Sequence, residues 1–189
     1  MRKAKNLQSE NVRRYFCLLG HIVCSGGFVL KKSFLIAAIV AALGGTALHF
    51  LYDVLPSPLV AVFAPINESP WEHLKLLFWP TLLAACVLAR SAKHPTRIWS
   101  AFFLAEILMP IFLLGIFYLL VYLGADSLAA DIALYFLTMF AGFTLAYFCR
   151  KSARLERWGG FLLMIVILYG SALVLFTFAA PNLPVFQSP

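Results

Sequence analysis

A chain of 189 residues that is 62% hydrophobic and only 12% charged, with mean hydropathy +0.89, is excluded from the soluble globular classes. Its net charge of +7 does not argue for nucleic acid, because the lysines and arginines sit at the ends of apolar runs rather than in one patch. Cys17, Cys24, Cys86 and Cys149 are too few, and too apolar in setting, for a disulfide framework.

Residues 1–33 open with a basic head, Arg2, Lys3, Lys5, Arg13 and Arg14. The apolar run 15–30 behind it is short for a membrane span and is broken by His21, Ser25, Gly26 and Gly27. A spanning reading would place the basic head outside the cell, and a cleaved signal peptide would leave Lys31 and Lys32 outside. The expectation is a cytoplasmic or interfacial extension, with upstream sequence included by a wrong start codon as its simplest origin. Cys17, His21 and Cys24 would share a helix face, but three mixed ligands without a fourth do not define a metal site.

The first expected span is 34–54. At 1.5 Å per residue it reaches about 31 Å, enough to cross the hydrocarbon. Ala37, Ala41 and Gly45 recur every fourth residue, a spacing that lets another helix approach closely. The same series continues into His49 and Asp53, so this face turns polar near one surface. Ionisable groups in a span are costly enough that function is the default hypothesis.

The segment that follows, LPSPLVAVFAP, is uncharged and carries Pro56, Pro58 and Pro65. It is too apolar for water and too short to span, so an interfacial helix or re-entrant turn is expected, its backbone packed against protein. The second span, 71–90, is announced by Ser69-Pro70-Trp71-Glu72. Ser69 fits an N-cap, Pro70 the first helical position, and Glu72 the residue that reaches back to the cap. Glu72 and Lys75 also share a side of this helix, so an ion pair competes with the cap for Glu72. Pro80 should kink the helix and free the carbonyl of Leu76.

The pattern HFLYD, followed by VAVFAPINESPWEHLKLLFWP, resembles the signature of small bacterial multi-pass membrane proteins known only as a family of unknown function. The match is specific over residues 49–80 and is general hydropathy elsewhere. The family resembled starts just before the first span, so residues 1–28 depart from it. No activity comes with the resemblance, which marks this stretch and leaves its chemistry open.

Three further spans are expected at 98–123, 129–149 and 158–178, ahead of a short tail, 179–189. Trp99 and Trp158 stand where interfacial anchors belong. The third span carries Glu106, four residues before Pro110, which places an acid at a kink. Basic residues alternate between loops: Lys31 and Lys32 precede span one, Arg90, Lys93 and Arg97 join spans two and three, and Arg150, Lys151, Arg154 and Arg157 join spans four and five. The other two loops and the tail have none. The fold expected is therefore an all-α, polytopic five-helix bundle, N-in/C-out, and the resemblance implies a bacterial plasma membrane.

Depth then sorts the polar groups into two layers. His49, Asp53, Asn67, Glu68 and His73 fall near the outer surface and form a candidate pocket for a small solute or ion. Ser69, Glu72 and Lys75 are nearby as cap or ion pair. Glu106 lies about 12 Å from the inner edge, a lone intramembrane acid. A divalent metal is the one cofactor these residue types suit, with His49, Asp53 and His73 as ligands and Glu68 and Glu72 as further candidates. A membrane-embedded metal-dependent hydrolase is thus one alternative, although there is no H-E-x-x-H. The other is a structural or assembly protein without a ligand. The partner expected is the lipid bilayer, with further copies of the chain if it acts as a carrier, since five spans leave little room for alternating access.

Overall fold

The computed structural model describes residues 26–187, and the regular secondary structure of the described residues is all helical, without strands. The helices are α1 (Gly26–His49), α2 (Leu51–Val54), α3 (Pro58–Phe63), α4 (Pro70–Arg90), α5 (Pro95–Tyr122), α6 (Leu128–Cys149), α7 (Ala153–Arg157) and α8 (Gly159–Phe178), followed by a 3-10 turn, Pro184–Phe186. Among the described residues five helices are long and apolar enough to cross a membrane, α1 together with α2, then α4, α5, α6 and α8. The basic head and the Cys17, His21 and Cys24 group lie outside the described residues.

Helix boundaries differ from expectation where local chemistry favours propagation. α1 is already helical at Gly26, where the described residues begin, and runs through Lys31 and Lys32, because a lysine pair does not stop a helix as a proline would. α5 begins at Pro95, since proline fits the first turn, where its missing N–H has no intrahelical partner anyway. Pro80 and Pro110 both stay inside continuous helices.

α5 is the centre of the bundle and packs against α4, α6 and α8, while α1 lies across α4 and α6. Ala101, Phe102 and Ala105 of α5 are fully enclosed. The outer surface is the reverse of a soluble protein's: Leu35, Ile36, Val40 and Leu43 of α1, and Met164, Ile167, Leu168 and Leu175 of α8, all stand exposed. An apolar girdle of this kind has its favourable solvent in hydrocarbon.

Small residues set the closest approach. Ala38, Ala41 and Ala42 of α1 are buried, and a Cβ placed on Gly45 would meet the Leu76 carbonyl and the Tyr135 hydroxyl. That carbonyl is the one Pro80 leaves without its helical N–H donor. Glycine at position 45 therefore lets α1 close over the break in α4, and the Tyr135 hydroxyl donates to the Ala42 carbonyl at 2.9 Å to tie α6 to the same point.

The proline-rich segment is held by its backbone. Ser57 caps α3 by accepting from the Val60 N–H at 3.2 Å. At the other end, Lys75 Nζ donates to the carbonyls of Ala61 (2.8 Å) and Ala64 (3.4 Å), and Trp79 Nε1 donates to that of Val62 at 3.0 Å. The free carbonyls at the end of this six-residue helix are thus satisfied by two side chains of α4.

Candidate functional site

The start of α4 organises the polar end of the bundle. Ser69 caps it, its Oγ accepting from the Glu72 N–H at 3.4 Å. The expected return half of the capping box does not form. The Ser69 N–H donates instead to Asn67 Oδ1 at 3.0 Å, which leaves the Glu72 carboxylate free for longer-range partners. Its Oε2 accepts from Lys75 Nζ at 2.6 Å and from the Ile66 N–H at 3.0 Å. Its Oε1 accepts from the Thr177 hydroxyl of α8 at 3.0 Å. Lys75 and Glu72 are both buried, and every ammonium proton has an acceptor, which is the condition for a buried pair to be tolerated. The competition for Glu72 thus goes to the ion pair, and Thr177 is a partner that no local pattern announces.

Positions 73 and 75 are about 200° apart around a helix. Segment 58–66, fastened to Lys75, therefore packs on the side of α4 away from His73. The loop 64–69 then wraps over the helix start and carries Glu68 to the histidines.

There three groups converge. Glu68 Oε2 lies 3.4 Å from His73 Nε2, and Glu68 Oε1 lies 3.8 Å from His49 Nε2. The imidazole centroids are 5.2 Å apart. One ligand atom from each of the three residues fits within a mutual 4.8 Å. His73 Nδ1 is 2.9 Å from the Ser69 carbonyl. A carbonyl only accepts, so Nδ1 carries the hydrogen of that contact and Nε2 is the nitrogen turned toward Glu68. His49 Nδ1 is buried without a partner among the described residues. Both histidines are partly exposed and Glu68 largely so, which leaves the group accessible from the end of the bundle.

The other expected pocket residues take different places. Asp53, on α2, is exposed and makes no hydrogen bond or ion pair among the described residues. Asn67 shapes the loop through its bond to Ser69. Sequence reasoning passed over Asp131 in the first turn of α6, whose Oδ1 is buried without a partner and which His73 reaches electrostatically. The signal for it was an acid opening a span at the histidine end.

Glu106 occupies a separate layer. It is 1% exposed, and neither carboxyl oxygen has a hydrogen-bond partner among the described residues. Arg150 lies over the Tyr147 ring and donates to the Tyr147 carbonyl. Thr138 donates to its own helix at the Leu134 carbonyl, and Thr81 to Met139 Sδ. Tyr169, on α8, is another buried hydroxyl without a partner. An apolar groove of about 1160 Å³ between α4, α5 and α8 includes neither polar layer.

At the basic end, Glu156 of α7 accepts from the Thr96 hydroxyl and from Arg97 Nε at 2.8 Å, tying the α6–α8 connection to the start of α5. The Thr96 hydroxyl first, and the Arg97 guanidinium beside it, hold the Glu156 carboxyl below the usual glutamate range.

The chain belongs to a family of unknown function (DUF6512), matched over residues 28–189. No curated protein matches it, and no solved structure does.

Proposed function

We propose that this member of the family is an integral membrane protein that binds a divalent metal ion, zinc by ligand type, through His49, Glu68 and His73. The observation that carries the reading is the convergence of two imidazole Nε2 atoms on one carboxylate, at 3.4 and 3.8 Å. Two ligands each about 2.0–2.1 Å from a tetrahedral zinc stand about 3.3 Å apart, so small side-chain movements complete the set. The Ser69 carbonyl on His73 Nδ1 supports the same reading, because metal-bound imidazoles are oriented by a partner on the other nitrogen.

Three protein ligands leave a fourth position for water or a solute, the arrangement of a working site rather than a closed structural one. A bound metal would act as a Lewis acid on whatever fills that position. The basic loops at the opposite end support an N-in/C-out orientation in a bacterial plasma membrane, with the metal site facing out.

Metal analysis of protein purified without chelator tests the proposal. About one divalent ion per chain is expected, lost in His49→Ala and in His73→Ala while both variants stay folded. Metal-free wild-type protein that zinc fails to stabilise against heat would overturn it.

A further inference from the structure

The groove between α4, α5 and α8, about 1160 Å³ in volume, has walls that ask for an apolar occupant. α8 lines it from Gly159 to Phe178, joined by Trp99 and Phe103 of α5 at the basic end and by Phe78 and Trp79 of α4 beyond them. Leu163 and Ile167, 40% and 57% exposed, leave it open along one side. The polar groups at its basic end are bonded to one another. Ser100 donates to the Thr96 carbonyl at 2.8 Å, Thr96 to Glu156, and Arg97 Nε to Glu156 at 2.8 Å. What such walls offer is apolar surface, including the stacked rings of Trp99 and Phe103, 5.5 Å apart.

Width selects among apolar occupants. The groove follows α8 for about 28 Å, so its volume corresponds to a channel about 7 Å across. A helix with its side chains needs roughly 10–12 Å, which leaves hydrocarbon chains. A chain entering from one leaflet covers half of a hydrocarbon layer about 30 Å thick. At the basic end that is the half running from Gly159 to Ile167.

Charge selects the head. Residues 90–97 and 150–157 hold seven lysines and arginines and a single acid, Glu156, which is already paired with Arg97. Arg154 and Arg157 of α7 are exposed and have no ion pair among the described residues. Each stands two residues from a residue that lines the groove, Glu156 for one and Gly159 for the other. A cationic cluster beside the end of a span attracts anionic lipid.

We infer that the basic-end half of this groove binds one anionic phospholipid, its phosphate head on Arg154 and Arg157 and its hydrocarbon between α5 and α8. The site rests on the membrane reading of the bundle and is independent of the metal, because none of the three metal-site residues lines the groove.

Thermal unfolding of the delipidated full chain in detergent tests this, with dioleoyl phosphatidylglycerol added or dioleoyl phosphatidylcholine, which has the same tails and no net charge. The anionic lipid should raise Tm by about 2–4 °C more than the neutral one. Arg154→Gln combined with Arg157→Gln should abolish that difference. Gly160→Phe should abolish it too, filling the groove from a position with open space around it. Gly44→Phe, also in open space but on α1, should leave it intact. The difference is read within each variant, so a change in overall stability does not obscure it. Equal stabilisation by the two lipids, or a difference that survives the arginine or the Gly160 substitution, would overturn the site. A dimer that Gly160→Phe splits, with the difference unchanged, would give the groove to a second copy instead. Stabilisation by neither lipid would overturn the membrane reading along with the site.

Discussion

Lys75 Nζ lies 2.6 Å from Glu72 Oε2 in the buried interior, and the same ammonium holds the carbonyls of Ala61 and Ala64. One side chain thus anchors a proline-rich segment and neutralises an acid whose other oxygen reaches α8 through Thr177. Removing one member of a buried, hydrogen-bonded pair typically costs about 3–5 kcal/mol. Lys75→Met should lower stability by that order and Glu72→Gln by less, since glutamine keeps an acceptor. Thermal unfolding in one detergent checks both, and an unaffected Lys75→Met would remove the anchoring role.

Gly45 makes an independent prediction. The Leu76 carbonyl and Tyr135 hydroxyl occupy the space of a Cβ, so Gly45→Ala forces α1 off α4. The expected loss is about 1–3 kcal/mol, the usual penalty for overpacking. Gly44, with open space around it, is the control. Equal effects of alanine at the two positions would contradict the close approach.

The fold was legible in the residues because hydropathy and the proline and lysine punctuation are local signals. The Ala41–Gly45 stripe and the Ser69 cap likewise follow from spacing along one helix. The fastening of Ala61, Val62 and Ala64 to Lys75 and Trp79 was not legible, because it depends on the path of a loop over the helix start. The same path brought Glu68 to His49 and His73 and left Asp53 exposed, although Asp53 is the residue in helical register with His49. Glu106 stood out as a charge in an apolar run, whereas Tyr169 did not, since tyrosine is ordinary in a span until its hydroxyl is found without a partner.

Acid should loosen the basic end. The Glu156 carboxyl is held below the ordinary glutamate range, so the folded chain binds this proton less readily than the unfolded chain. Its contribution is present above the ordinary value of about 4.3 and is lost as pH falls through the depressed one. Glu156→Gln should therefore weaken the fold slightly at neutral pH and flatten the acid side of the stability profile. A variant profile that still falls as steeply as wild type would place the acid sensitivity elsewhere.

Orientation is open to reporter fusions in the loops. Fusions at Lys93 and Arg154 should report the cytoplasm and one at Asp126 the exterior, following the alternation of basic residues. An exterior signal at Lys93 would invert the bundle and turn the His49–His73 end inward.

The central claim rests on three side chains around one ion, and zinc-edge X-ray absorption on the purified, zinc-loaded protein addresses it directly. The account predicts two imidazoles and at least one oxygen at about 2.0–2.1 Å. One imidazole should disappear in His49→Ala and one in His73→Ala, and the Glu68→Gln site should hold zinc more weakly with its histidine shell kept. A zinc shell without imidazole, or one unchanged when either histidine is replaced, would contradict it.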